Sequence, residues 1–161
     1  MTTKFGAPHA LASAPAIVRP SVLRTYRVEQ CTPAIGAEIT RISLADVPDD
    51  PALVAELRAL WLKHRVLFFR EQHITAQEQQ RFAAAFGTLE KHPTAPMHPD
   101  APLLLPLYRN LDPDKPNMIE KSSRENIWHS DLTFKEVGPR GAILRCEQCP
   151  ESGGDTLWAN M

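Results

Sequence analysis

The clearest periodicity in the chain lies over residues 51–64, where Leu53, Val54, Leu57, Leu60 and Trp61 recur at helical spacing. Asp50 followed by Pro51 reads as an N-cap with proline at the first helical position, so the pattern predicts a helix from Pro51 to about His64. Thr75-Ala76-Gln77-Glu78 has the form of a capping box, in which a hydroxyl and a carboxylate satisfy the first free amides of a helix. That second helix runs to about Phe86, with Gly87 ending it and Phe82, Ala83 and Phe86 as its buried stripe. Apolar and charged positions alternate over residues 26–31 and 36–42, with Pro33 turning between them, which predicts a hairpin. Val66-Leu67-Phe68-Phe69 is a short apolar run bounded by charges and suits a fully buried strand.

Beyond these elements the pattern weakens. Residues 91–102 hold four prolines and two histidines and are expected to be irregular. Residues 103–108 suit another buried strand, 112–126 a polar loop, 142–146 a strand, 150–154 a turn and 155–158 a short last strand. Residues 1–22 are rich in Ala, Pro and Ser, carry no acidic residue, and read as a flexible tail outside the fold. Strands before, between and after two helices indicate an α+β or mainly-β core rather than a regularly alternating parallel sheet.

Composition narrows the function classes. At 161 residues the chain is the size of one domain or part of a larger one, and 43% hydrophobic with 23% charged residues gives a globular profile. A net charge of -1 offers no global attraction to nucleic acid or to an anionic membrane, and no run is long enough to span a bilayer. Fifteen prolines against seven glycines argue for fixed turns and functional loops. Three cysteines cannot all pair, and Pro8, Pro15 and Pro20 interrupt the weakly apolar start where a secretory leader would lie, so the expected compartment is the cytoplasm. Homo-oligomerisation is left open.

The candidate chemistry centres on Trp128-His129-Ser130-Asp131-Leu132-Thr133-Phe134. On an extended backbone His129 and Asp131 point to one face, and with one further histidine they would complete the 2-His-1-carboxylate triad that holds non-haem Fe(II) with open positions. Taken alone, His-x-Asp also suits a hydrogen-bonded loop histidine beside a turn aspartate. Cys146-x-x-Cys149 has a spacing that can hold zinc or form a redox pair, but the only other cysteine is Cys31, so ordinary partly buried thiols are expected. Arg140 and Arg145 read as surface charges.

Phe69-Arg70 at the end of the apolar run, the His129-x-Asp131 string and Gly153-Gly154-Asp155-Thr156-Leu157-Trp158 stand in an order and spacing that closely resemble one known family. The resemblance is to the N-terminal half of the taurine dioxygenase (TauD/TfdA) family of Fe(II)- and 2-oxoglutarate-dependent dioxygenases, from about Val28 onward. It implies a double-stranded β-helix, or jelly roll, with flanking helices, here truncated. It implies His129 and Asp131 as iron ligands, with no catalytic residue beyond the metal ligands, and Thr156 as a hydrogen-bond partner of the 2-oxoglutarate cosubstrate. The implied reaction hydroxylates a small organic acid with O2, leaving succinate and CO2. His92 falls where taurine-oxidising members contact the sulfonate, and Trp128 and Phe134 would help form a dry wall around the site, with plain core as the equal alternative for two aromatics beside a strand. Ala95 replaces a tyrosine of those members and Glu125 an asparagine; a carboxylate at 125 facing the pocket would repel a sulfonate. The expected substrate therefore widens from taurine to another sulfonate, an alkyl sulfate or a different small acid. The family also needs a distal histidine and an arginine, and His9, His64 and His73 do not substitute. The chain is thus read as a tail (1–22) and the N-terminal part of a single oxygenase domain (23–161). A truncated, non-catalytic ligand- or partner-binding protein on the same half-fold is the alternative, and a small zinc module on the cysteine pair a third reading.

Overall fold

The computed structural model describes residues 2–5, 25–93, 96–107, 127–149, 151–153 and 155–161. Ala95, Glu125, most of the expected tail, the expected loop at 112–126, and Pro150 and Gly154 lie outside the described residues. In chain order the elements are β1 (Thr2–Phe5), β2 (Arg27–Gln30), β3 (Ala37–Thr40), a 3-10 turn (Val47–Asp49), α1 (Pro51–His64), β4 (Leu67–Phe69), α2 (Ala76–Ala84), β5 (Leu89–Glu90) and β6 (Gly141–Leu144). Among the described residues, two helices and two three-stranded sheets make an α+β composition. Among the described residues no helix is long and apolar enough to cross a membrane.

The chain divides into two compact units, of which one comprises Ala10–Phe86 with Cys149–Met161. Its sheet has the order β2-β3-β4. The expected hairpin is present: β2 and β3 pair antiparallel, Val28 opposite Ile39. Its loop closes through Thr32, whose hydroxyl donates to the Ile35 carbonyl at 2.6 Å and accepts the Ile35 amide at 3.0 Å. At the loop's end Gly36 has φ +91, and a Cβ there would meet Cys31 and Phe68 at 3.3 Å, so glycine is required on both counts. As an edge strand β2 is exposed throughout, and the alternation read in its sequence buries nothing.

Strand β3 pairs in parallel with β4, and α1 forms the crossover between them. One parallel βαβ unit therefore sits inside a fold whose sequence predicted none. The helix starts as expected: the Asp50 carboxylate accepts the Leu53 amide at 3.0 Å, with Pro51 behind it. Asp50→Ala leaves that amide without its acceptor, and urea unfolding should show a loss of about 1 kcal/mol. At the other end Arg65, with φ 69, reaches back with its guanidinium to the Leu62 and Lys63 carbonyls, an electrostatically favourable C-terminal cap.

Strand β4 is half-buried rather than fully buried, because it is the other edge of its sheet. Phe69 meets Phe82 edge-on at 6.1 Å and Phe68 meets Trp158 edge-on at 5.2 Å. Helix α2 carries the full capping box: the Thr75 amide donates to Glu78 at 2.6 Å, and the Glu78 amide to the Thr75 hydroxyl at 3.2 Å. The Thr75 amide first, and then its hydroxyl, hold the Glu78 carboxyl below its ordinary pKa. That contribution is complete above the ordinary carboxylate range and is lost as pH falls through the lowered value. Phe82, Ala83 and Phe86 are buried as the pattern predicted, together with Ala37, Ile39, Leu44, Val47 and Leu57. Residues 155–161 form no strand; the Trp158 ring packs on Phe68.

The other unit comprises Met1–His9 and Gly87–Gln148. Its sheet has the order β5-β1-β6, so Thr2–Phe5, expected to lie outside the fold, forms the central strand. Thr2 to Phe5 pair antiparallel with Leu144 to Gly141, and Lys4 and Phe5 with Glu90 and Leu89. The strand expected from residue 103 is instead a pair of turns: the His98 amide donates to the Leu104 carbonyl at 2.8 Å and the Leu104 amide to that of Ala101 at 2.9 Å. Ala101, Leu104 and Leu105 are buried there, an apolar run that strand periodicity alone does not separate from a folded-over loop.

Candidate metal centre

His129 lies on a stretch that belongs to no strand and Asp131 opens a turn, so no strand carries the motif. Leu132 takes φ 51, and the Lys135 amide donates to the Leu132 carbonyl at 3.1 Å, closing the turn. The two side chains nevertheless converge, with Nε2 of His129 3.6 Å from Oδ1 of Asp131. On the other side of the ring, Nδ1 lies 2.8 Å from the Ile127 carbonyl. A carbonyl can only accept, so Nδ1 carries the proton and, in the neutral ring, Nε2 presents its lone pair toward the carboxylate.

A loop histidine beside a turn aspartate would share the Ile127 contact. The separation between Nε2 and Oδ1 is what suits a metal: it exceeds a hydrogen bond, yet an ion with bonds of about 2.0–2.2 Å to nitrogen and oxygen can touch both. The donor set, a neutral imidazole pinned by a backbone acceptor and a carboxylate, fits a borderline divalent ion. Among the described residues no group of three or more His, Cys, Asp or Glu is gathered at one point. The pair is open to water, its side chains 59% and 36% exposed.

Trp128 and Phe134 are 66% and 76% exposed, so they build no dry wall among the described residues. His92 follows β5 and is half-buried. It lines, with Glu90, Lys91, Met97, Leu103, Leu105 and Leu132, a shallow depression of about 240 Å3 that includes the open solvent at its mouth. His92 thus shares this depression with Leu132, the residue after Asp131 in the chain. Thr156 is exposed and belongs to the other unit.

Cys31, Cys146 and Cys149 are free thiols, and all three are exposed where partial burial was expected for the Cys-x-x-Cys pair. The Cys146 thiol donates to the Gln148 carbonyl at 3.3 Å. Arg145 is paired with Glu147. A contact that sequence gave no sign of joins Lys135 to Glu90, whose charges meet across 45 positions. Local pattern carries no trace of such a pairing.

The family model described as "Taurine catabolism dioxygenase TauD, TfdA family" matches residues 27–161. An alkylsulfatase of Acinetobacter baylyi is 38% identical over 135 residues, covering 83% of this chain and 39% of its own. An alpha-ketoglutarate-dependent sulfate ester dioxygenase of Pseudomonas putida is 41% identical over 128 residues, covering 78% of this chain and 38% of its own. A solved structure of a taurine dioxygenase from Burkholderia xenovorans is 35% identical, with 49% of this chain and 28% of that chain covered and a TM-score of 0.43, at which the overlay assigns no fold. The chain spans about two fifths of the length of the two curated relatives, 39% and 38%. With the match running over residues 27–161, the chain belongs to the taurine catabolism dioxygenase TauD, TfdA family.

Proposed function

We propose that this chain supplies the first two iron ligands, Nε2 of His129 and a carboxylate oxygen of Asp131, of an Fe(II)- and 2-oxoglutarate-dependent dioxygenase. The observation that carries this reading is the orientation of His129: its Nδ1 is engaged by the Ile127 carbonyl, and its Nε2 faces Asp131 at 3.6 Å. Iron with 2-oxoglutarate supplies the oxidising chemistry, using O2 and leaving succinate and CO2. The residues of the chain orient and bind. Thr156 hydrogen-bonds a cosubstrate carboxylate, His92 donates to an anionic substrate, and Phe134 and Glu125 border it. The reading requires a further histidine ligand and an arginine for 2-oxoglutarate besides these residues, in a jelly roll with flanking helices.

The substrate class we favour is a sulfate ester. Two relatives carry names of sulfate-ester chemistry, and the depression beside Asp131 holds His92 and Lys91, whose donors suit an oxyanion. Oxygen insertion at the carbon bearing the ester would leave an unstable product that breaks into an aldehyde and inorganic sulfate. The free thiols fit a reducing cytoplasm.

Anaerobic titration of the gene product carrying this chain with Fe(II) and 2-oxoglutarate tests the reading. A weak visible metal-to-ligand charge-transfer band should grow to one equivalent and be missing from the His129→Ala variant. No band in the parent, with ligand binding retained, would favour a non-catalytic binding protein.

A further inference from the structure

Asp131 opens a surface turn. Its backbone passes through Leu132 in the left-handed region, which residues bearing a side chain seldom adopt, and a backbone hydrogen bond from the Lys135 amide to the Leu132 carbonyl at 3.1 Å closes the turn. Lys135 does a second thing. Its ammonium meets the Glu90 carboxylate on β5, and both side chains are largely covered, 33% and 26% exposed. An exposed ion pair would contribute little, but covered charges are less screened, and this pair bridges two segments that sequence does not connect. Strand β5 is fixed in turn by its pairing with β1, Lys4 opposite Glu90. Glu90 also begins the run Glu90-Lys91-His92 that lines the depression together with Leu132. One ion pair therefore ties the turn that presents Asp131 to the strand that leads into His92.

We propose that the Lys135–Glu90 ion pair is a positioning device for the metal centre, holding the Asp131 carboxylate in register with His129 Nε2. In this role Lys135 and Glu90 do not ligate the metal; they act through the turn. The proposal rests on the assignment of His129 and Asp131 as metal ligands.

Its test uses Mn(II) as probe, with free Mn(II) read by its EPR signal against the gene product carrying this chain. Lys135→Met and Glu90→Gln should each weaken Mn(II) binding by about 10-fold or more, the scale on which outer-shell partners act. Lys135→Arg should bind as the parent does, because it keeps the charge. Thermal unfolding without metal accompanies each titration: a merely structural pair would lower the midpoint and leave the affinity of the folded protein unchanged. Should Lys135→Met fold poorly, the isosteric Glu90→Gln and the charge-conserving Lys135→Arg still separate the two roles. Parent-like affinity in both neutral variants overturns the positioning role while leaving the ligands in place. Parent-like affinity in Asp131→Ala overturns the ligand assignment itself, and the positioning role with it.

Discussion

Asp131→Ala should abolish stoichiometric binding of Fe(II) or Mn(II) while leaving the folded protein nearly as stable as the parent. The carboxylate is the anionic member of the donor pair, and its Oδ1 faces His129 Nε2 at 3.6 Å. Without it a single imidazole remains, and the loss should exceed the roughly 10–100-fold typical of outer-shell changes. Stability should move by no more than about 0.5 kcal/mol, because the side chain is 36% exposed and sits in a surface turn. Equilibrium dialysis and a thermal melt of the same preparation separate the two quantities. A variant that keeps its metal, or that loses metal only by unfolding, would remove Asp131 from the ligand set.

The largest expected effect on stability lies elsewhere. Leu57→Ala should cost about 2–5 kcal/mol, the range for deleting a buried leucine side chain together with the cavity it leaves. Leu57 is wholly buried on α1, the crossover between β3 and β4, in a unit whose other fully covered side chains include Ile39 and Val47. Few side chains share that core, so each deletion removes a sizeable part of it. Leu62 on the same helix is 63% exposed, and Leu62→Ala should change stability by less than about 0.5 kcal/mol. Urea midpoints compared at unchanged slope measure both. Equal effects at the two positions would contradict the burial of the helix described above.

Local chemistry was legible in the sequence and long-range chemistry was not. The Asp50 cap and the Thr75 to Glu78 box depend on atoms within three residues of one another, so reading them required no tertiary information. The hairpin was legible because its two strands are consecutive in the chain and joined by a short loop. The parallel pairing of β3 with β4, and the place of Thr2–Phe5 at the centre of a sheet, depend on partners far along the chain. Apolar Leu104 and Leu105 looked like strand because burial, not pairing, is what hydrophobicity reports. At the candidate site the spacing of His129 and Asp131 pointed to a shared ion, and the side chains do converge, though no strand carries them and a left-handed Leu132 follows at once. The ring nitrogen chosen by the Ile127 carbonyl, and the Lys135–Glu90 tie, appear only once the backbone is folded.

Turnover decides the central claim most directly. With Fe(II), O2, 2-oxoglutarate and a medium-chain alkyl sulfate, the gene product carrying this chain should release succinate and inorganic sulfate in equal amounts, and Asp131→Ala should release neither above background. Sulfate release that needs no 2-oxoglutarate, or succinate formation that survives Asp131→Ala, would contradict the account.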